Sequence, residues 1–86
     1  MSDKLPSPRM IRAARGLLNM DQLTLGEHVG VSRRTIIRLE NDDTIPTNQR
    51  RIDVIDAIRL KFEELGVRFI YADRSTGEGA VMSRGK

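Results

Sequence analysis

The segment from Gln22 to Leu39 carries a spacing of small and apolar residues that few local structures accommodate. Two helices that cross at roughly 90–120° through a short turn need a small residue where they approach most closely. They also need a residue that tolerates positive φ at the start of the turn and a side chain that caps the second helix. The segment therefore predicts a helix, a tight turn and a second helix, with Gly26 at the crossing, Gly30 in the turn and Ser32 as the cap.

Periodic apolar residues in the rest of the chain predict two more helices and a small hairpin. The first pattern begins after Ser7-Pro8, a pair typical of a helix start. The last helical pattern begins at Pro46 and ends before Gly66, after which the apolar period changes from helical spacing to alternation. The predicted helices cover residues 8–18, 22–29, 33–40 and 46–65, and the predicted strands begin at residues 67 and 80. The expected fold class is therefore mainly α, a four-helix bundle followed by a short C-terminal β-hairpin.

These elements divide the chain into three parts. Residues 1–6 are polar with one proline and are predicted to form a flexible arm. Residues 7–65 form the helical domain, in which Leu23 and Leu25 are both expected to line the inner side of the second helix. Residues 66–86 form the hairpin and tail. An isolated two-stranded hairpin is marginally stable in water, so this tail is a possible dimerisation element.

The composition excludes several classes of protein. The 86 residues leave room for one domain and for little beyond its core. The absence of cysteine excludes a disulfide scaffold and a thiolate zinc site, and it fits a cytoplasmic protein. No apolar run is long enough to cross a membrane. His28 is the sole histidine and has no partners at a ligand-like spacing, so we expect no metal, no cofactor and no enzymatic activity.

The charged residues favour a nucleic acid as the partner. Fifteen Lys and Arg residues against twelve Asp and Glu residues give a net charge of +3. Most of these cations are arginine, the side chain best suited to bidentate pairing with phosphate and guanine. The aromatic residues all lie in the last third of the chain, whereas a platform that stacks single strands needs them among the basic residues. We therefore expect duplex DNA as the partner.

The outward face of the third predicted helix carries the residues that indicate a function. The residues predicted to be exposed there are Arg33, Arg34, Ile37 and Arg38. A helix that enters the major groove by its N-terminal end presents such a set to the base edges. The alternative interpretation is a basic face that is merely solvated. The absence of an acidic residue among the three arginines favours contact with bases.

The segment "DQLTLGEHVGVSRRTIIRLEND" resembles the helix-turn-helix of the Cro/C1-type (XRE) family, the class of phage repressors and Cro. The matching positions are Gln22, Leu25-Gly26, Gly30-Val31-Ser32, Thr35-Ile36, Leu39-Glu40 and Pro46. The resemblance covers about residues 9–65. It implies a lambda-repressor-like bundle that binds DNA.

The resemblance also implies roles for individual residues. Those expected to contact or position phosphates are Gln22, Ser32, Thr35 and Asn41. Those expected to read bases are Arg33, Arg34, Ile37 and Arg38, with Thr35 and Ile37 as auxiliaries. In several family members an arginine on the first helix pairs with the glutamate that ends the third, and Arg15 and Glu40 fill these positions. Together with Gly26 and Gly30, this pair is expected to support the motif.

Three residues depart from the family pattern. Asp42 stands where the family often has glycine, so we expect a different turn after the third helix. Gly26 replaces the more usual alanine at a cost of up to about 1 kcal/mol of helix stability. Asp21 caps the second helix well but would be repelled by DNA if it faced the duplex.

The sequence thus predicts a bacterial or phage-encoded, sequence-specific transcriptional regulator of double-stranded DNA. One recognition helix covers few base pairs, so a homodimeric repressor on a palindromic operator is the leading hypothesis. The alternative is an antitoxin-like or adaptor protein whose residues 66–86 bind a partner protein. RNA binding ranks last, because the narrow major groove of A-form RNA does not admit a helix.

Overall fold

The computed structural model describes residues 4–83, which form four helices and one hairpin. The helices are α1 (Pro8–Leu18), α2 (Gln22–Val29), α3 (Arg33–Asn41) and α4 (Gln49–Glu64), and the strands are β1 (Val67–Ile70) and β2 (Gly79–Met82). The predicted mainly α fold with a C-terminal hairpin is confirmed. Residues 1–3 of the predicted arm and residues 84–86 of the predicted tail lie outside the described residues.

Side-chain caps set the start of each helix. The Ser7 hydroxyl accepts the Met10 N–H at the start of α1, and the Asp21 carboxylate accepts the Thr24 N–H at the start of α2. The prediction that the last helix begins at Pro46 was wrong, because α4 begins at Gln49. Asn48 accepts the Arg51 N–H and so caps the helix two residues beyond Pro46, which forms part of the preceding loop together with Thr47.

The hydrophobic core collects residues from the four helices and from β1, and Ala80 of β2 packs against it. Its buried members are Met10, Ile11, Ala14, Leu25, Ile36, Leu39, Ile55, Ile58, Phe62, Val67 and Phe69. The expectation that Leu23 lines the inner side of α2 was wrong, since this side chain is exposed. Two residues along a helix correspond to a rotation of about 200°, so Leu23 points away when Leu25 points inward.

The hairpin belongs to this core. Its strands pair antiparallel, with Val67 opposite Met82 and Phe69 opposite Ala80. Phe69 packs against Phe62 of α4, with 6.1 Å between the ring centroids. The hairpin therefore covers the helices with apolar side chains and completes the same hydrophobic core.

A polar contact fixes the other end of the hairpin to α1. The Ser7 hydroxyl and the Arg9 Nε both donate to Glu78 Oε1, each at 2.8 Å. This contact holds the start of β2 beside the start of α1. Within residues 4–83, no helix combines the length and the hydrophobicity that a membrane span requires.

Candidate nucleic-acid interface

Two glycines define the angle between α2 and α3. A Cβ placed on Gly26 would lie 2.5 Å from the carbonyl oxygen of Val31, so even alanine does not fit here without a shift of the backbone. Gly30 adopts the left-handed region with φ +77° and donates its N–H to the carbonyl oxygen of Gly26. Val31 donates to the same oxygen at 2.9 Å. The turn therefore brings α3 against α2 at the position where no side chain intervenes.

The Ser32 side chain starts α3. Its hydroxyl accepts the Thr35 N–H at 3.2 Å and lies 3.1 Å from the Thr35 hydroxyl. Ser32 is exposed, and Thr35 is half-buried. The two hydroxyl groups expected to lie near phosphates thus sit together at the N-terminal end of α3.

The outward face of α3 is basic and unpaired. Arg33, Arg34 and Arg38 are exposed, Ile37 is half-buried, and Ile36 faces the core. Among residues 4–83, no carboxylate lies within ion-pair distance of the three guanidinium groups. The structure thus brings the residues that were predicted to read bases onto one surface.

Glu40, in the last turn of α3, is a buried carboxylate. Its side chain is 2% exposed and accepts from Arg15 Nε at 2.6 Å and from Arg15 Nη2 at 2.7 Å. The amide of Gln22 donates to the same carboxylate at 3.1 Å, and the Arg12 guanidinium donates to the Glu40 carbonyl oxygen. The hydrogen bond to Glu40, more than the opposing effect of burial, raises the pKa of Arg15 above its usual value. This network connects α1, α2 and α3 around one carboxylate.

Asn41 and Asp21 also lie at this surface, but only Asp21 is held by its own helix. Asn41 is exposed as the last residue of α3, and Asp21 lies at the start of α2. The pKa of Asp21 is lowered chiefly because its carboxylate accepts the Thr24 N–H, with smaller effects from Arg15 and Arg33. The negative charge of Asp21 is therefore engaged by its own helix.

Asp42 stands where the family pattern often has glycine, and the turn that follows α3 here does not require glycine. Its φ of −117° lies outside the left-handed region, so no glycine is needed. Its carboxylate accepts the N–H and the hydroxyl of Thr44 and pairs with Arg51 Nη1 at 2.6 Å. The bonds from Thr44 and then the bond from Arg51 hold the pKa of Asp42 well below its usual range. The turn therefore ties the end of α3 to the first turn of α4.

Two arginines that sequence reasoning did not select help to position this surface. Arg12 bonds the last turn of α3, and Arg51 bonds both the carboxylate and the carbonyl oxygen of Asp42. Arg12 precedes Arg15 by three residues and so lies on the same face of α1, which was a usable signal. Nothing in the sequence around Arg51 indicated its partner. No cluster of three possible metal ligands occurs among residues 4–83.

Comparison with known proteins gives one family. A family model described as helix-turn-helix matches residues 11–65, which include all of α2, α3 and α4 and most of α1. A search of curated proteins found no match. The matched segment carries every residue of the surface described above.

Proposed function

We propose that this chain, which belongs to the Cro/C1-type helix-turn-helix family, is a repressor that binds a palindromic operator as a homodimer. Membership of the family makes the chain a DNA-binding transcription regulator. The observation that carries the finer proposal is the set of unpaired arginines on α3, because guanidinium groups without carboxylates are available to bases and phosphates.

In this proposal α3 is the recognition helix and enters the major groove. Arg33, Arg34 and Arg38 contact base edges, and Ile37 packs against them or against a thymine methyl group. The groups that contact the backbone are Gln22, Ser32, Thr35 and Asn41. Gln22 already donates one amide hydrogen to Glu40, and a glutamine amide has a second hydrogen for a phosphate.

The dimensions of the molecule support a dimer on two half-sites. Half-sites one helical turn apart are separated by about 34 Å. The molecule measures 32 × 28 × 23 Å, so two copies side by side have the dimensions needed to cover both half-sites. The hairpin offers a surface for this contact, because Ile70 and Val81 on its outer side are only half-buried.

Selection of bound sequences from a random duplex library tests the proposal. We expect one enriched sequence with two inverted half-sites about 10 base pairs apart. Arg34→Ala should lower affinity for that sequence by about 1–3 kcal/mol and relax the preference at one base step. Arg74→Ala, in the hairpin turn, is the control, since this arginine is exposed and lies outside the segment that the family model matches. Enrichment of no sequence would contradict the proposal.

A further inference from the structure

A cleft of about 290 Å³ separates the recognition helix from the first turn of α4. Its polar walls are Thr35 and Arg38 on one side and Asn48 and Arg50 on the other, and its apolar floor includes Leu39 and Val54. Arg50 is exposed and follows the cap of α4 by two residues. The cleft therefore brings one arginine from each of two helices to the same space.

The two arginines have no carboxylate to share. Within residues 4–83, neither Arg38 nor Arg50 forms an ion pair, whereas Arg51 takes the nearby carboxylate of Asp42 at 2.6 Å. Arg51 also lines the cleft, and its Nε is buried without a hydrogen-bond partner. The charges of Arg38 and Arg50 have no counter-charge in this cleft and repel each other. An anion bound between them therefore lowers the electrostatic energy.

The other two arginines of α4 are neutralised. Arg51 pairs with Asp42, and Arg59 pairs with Asp56 and Glu63 of its own helix. Arg50 therefore differs from the arginines that hold the fold together. A guanidinium that contributes no ion pair within the fold is available to a ligand.

We propose that this cleft takes one phosphate group of the DNA backbone, held by Arg50 of α4 beside Arg38 of α3, whose positive charge attracts the phosphate while its side chain contacts a base edge. The inference rests on the proposed function, because the cleft opens beside the recognition helix and a duplex lying on α3 passes over it. The Asn48 amide and the Thr35 hydroxyl supply further donors at its walls. Arg50 thus extends the interface beyond the helix-turn-helix and adds affinity without reading sequence.

The salt dependence of binding isolates a backbone contact from a base contact. We would measure the affinity of the full chain for the selected operator and for a duplex of mixed sequence over a range of salt concentrations. Arg50→Ala should weaken both affinities by a similar factor, roughly tenfold. It should also reduce the slope of log affinity against log salt by about 1, since one phosphate contact is lost.

Two matched variants define the interpretation. Arg50→Lys keeps the charge and should retain most of the slope, because lysine still binds phosphate as a point charge. Arg74→Ala should leave both affinity and slope unchanged, and thermal unfolding should show that all variants remain folded. A loss on Arg50→Ala confined to the operator would overturn the proposal, since it would place Arg50 at a base.

Two further outcomes separate this inference from the proposed function. If Arg34→Ala weakens operator binding while Arg50→Ala changes neither affinity nor slope, the recognition helix stands and the cleft does not bind the backbone. If inorganic phosphate stabilises the wild type against thermal unfolding but not Arg50→Ala, and DNA affinity is unchanged in Arg50→Ala, the cleft binds a free anion. That result would also overturn the assignment to the DNA backbone.

Discussion

The close approach of one backbone oxygen limits which residues can replace Gly26. The position where a Cβ would stand lies 2.5 Å from a backbone oxygen, and a backbone oxygen has less freedom to move than the end of a side chain. Helix propensity alone favours alanine by about 1 kcal/mol. Steric overlap at the crossing of α2 and α3 opposes that preference, and the two effects have opposite signs.

Gly26→Ala is predicted to destabilise the protein by about 1–3 kcal/mol, because overpacking outweighs the gain in helix propensity. Gly16→Ala is the matched control, since Gly16 also lies in a helix and nothing stands within 4 Å of its added Cβ. That variant should be more stable than the wild type by about 0.5–1 kcal/mol. Urea denaturation measures both, and equal stabilisation by the two alanines would contradict the close approach at Gly26.

The buried ion pair between Arg15 and Glu40 also limits which residues the protein tolerates at these two positions. Glu40→Gln leaves the Arg15 guanidinium without its charge partner, and we expect a loss of about 3 kcal/mol in the free energy of unfolding. The loss stays at the low end of the range for buried pairs because the Arg15 side chain is 20% exposed.

A double-mutant cycle checks this prediction. Arg15→Met combined with Glu40→Gln should cost less than the sum of the two single variants, because no unpaired buried charge remains. Glu64→Gln is the control, since Glu64 pairs with Lys61 at the surface and its removal should cost less than about 1 kcal/mol. Additive losses at Arg15 and Glu40 would mean that the pair does not act as a unit.

At the scale of elements, local chemistry explains which helix starts were predictable. Ser7, Asp21 and Ser32 each stand directly before an apolar periodic pattern, so the sequence identified all three caps. The start of α4 was missed because Pro46 carries a start signal of its own, while Asn48 competes for the cap. Short-range patterns fix a helix to within a turn and do not choose between neighbouring caps.

The interface was predictable to the same degree. The outward face of α3 follows from helical periodicity, so its arginines were identified from the sequence alone. The bond from Gln22 to Glu40 spans 18 positions, and its geometry depends on the packing of three helices. The link from Arg51 to Asp42 depends on the path of an irregular loop, which no periodic pattern describes.

The loop between α3 and α4 should show a dependence on pH. The pKa of Asp42 is lower in the folded protein than the ordinary value of about 3.9 that applies to the unfolded chain. Ionised Asp42 therefore contributes stability that is present above about pH 4 and is lost as the pH falls toward the folded value. Asp42→Asn removes this contribution, so the difference in stability between wild type and variant should shrink as the solution is acidified.

Thermal unfolding over a series of pH values measures that difference. Asp21 and Asp73 also have lowered pKa values, but both are present in wild type and variant, so their effects cancel. Asp43→Asn is the control, because its contact with Arg9 is long, at 3.5 Å, and exposed. A difference between wild type and Asp42→Asn that stays constant with pH would contradict the role of the charge.

At the scale of the whole molecule, the hairpin contributes to the core and also offers a surface. Val67 and Phe69 are buried, so deletion of residues 66–86 would uncover Phe62 as well as remove a possible interface. Substitutions on the outer side of the hairpin separate these two effects. Ile70 lies on that side and is half-buried.

Ile70→Gln is predicted to lower the dimer content while the chain remains folded, because a polar side chain weakens an apolar contact between two hairpins. Leu60→Gln tests the alternative that α4 forms the interface, since Leu60 is 53% exposed on that helix. Both substitutions are neutral in charge, so neither changes the electrostatic attraction to DNA. Sedimentation measures the mass of each variant, and an undiminished dimer in Ile70→Gln would exclude the hairpin as the interface.

The contact between Ser7 and Glu78 determines how late in synthesis the fold can close. The two residues are 71 positions apart, and at typical rates of translation they are synthesised roughly 4 to 14 s apart. In the later part of that interval α2 and α3 have already been synthesised, while the strand that covers α1 and the carboxylate of Glu78 have not. The nascent chain therefore contains every residue proposed to contact DNA before its hydrophobic core can close. Folding to the final structure waits for the hairpin, so we expect DNA binding to follow the synthesis of β2 and not that of α3.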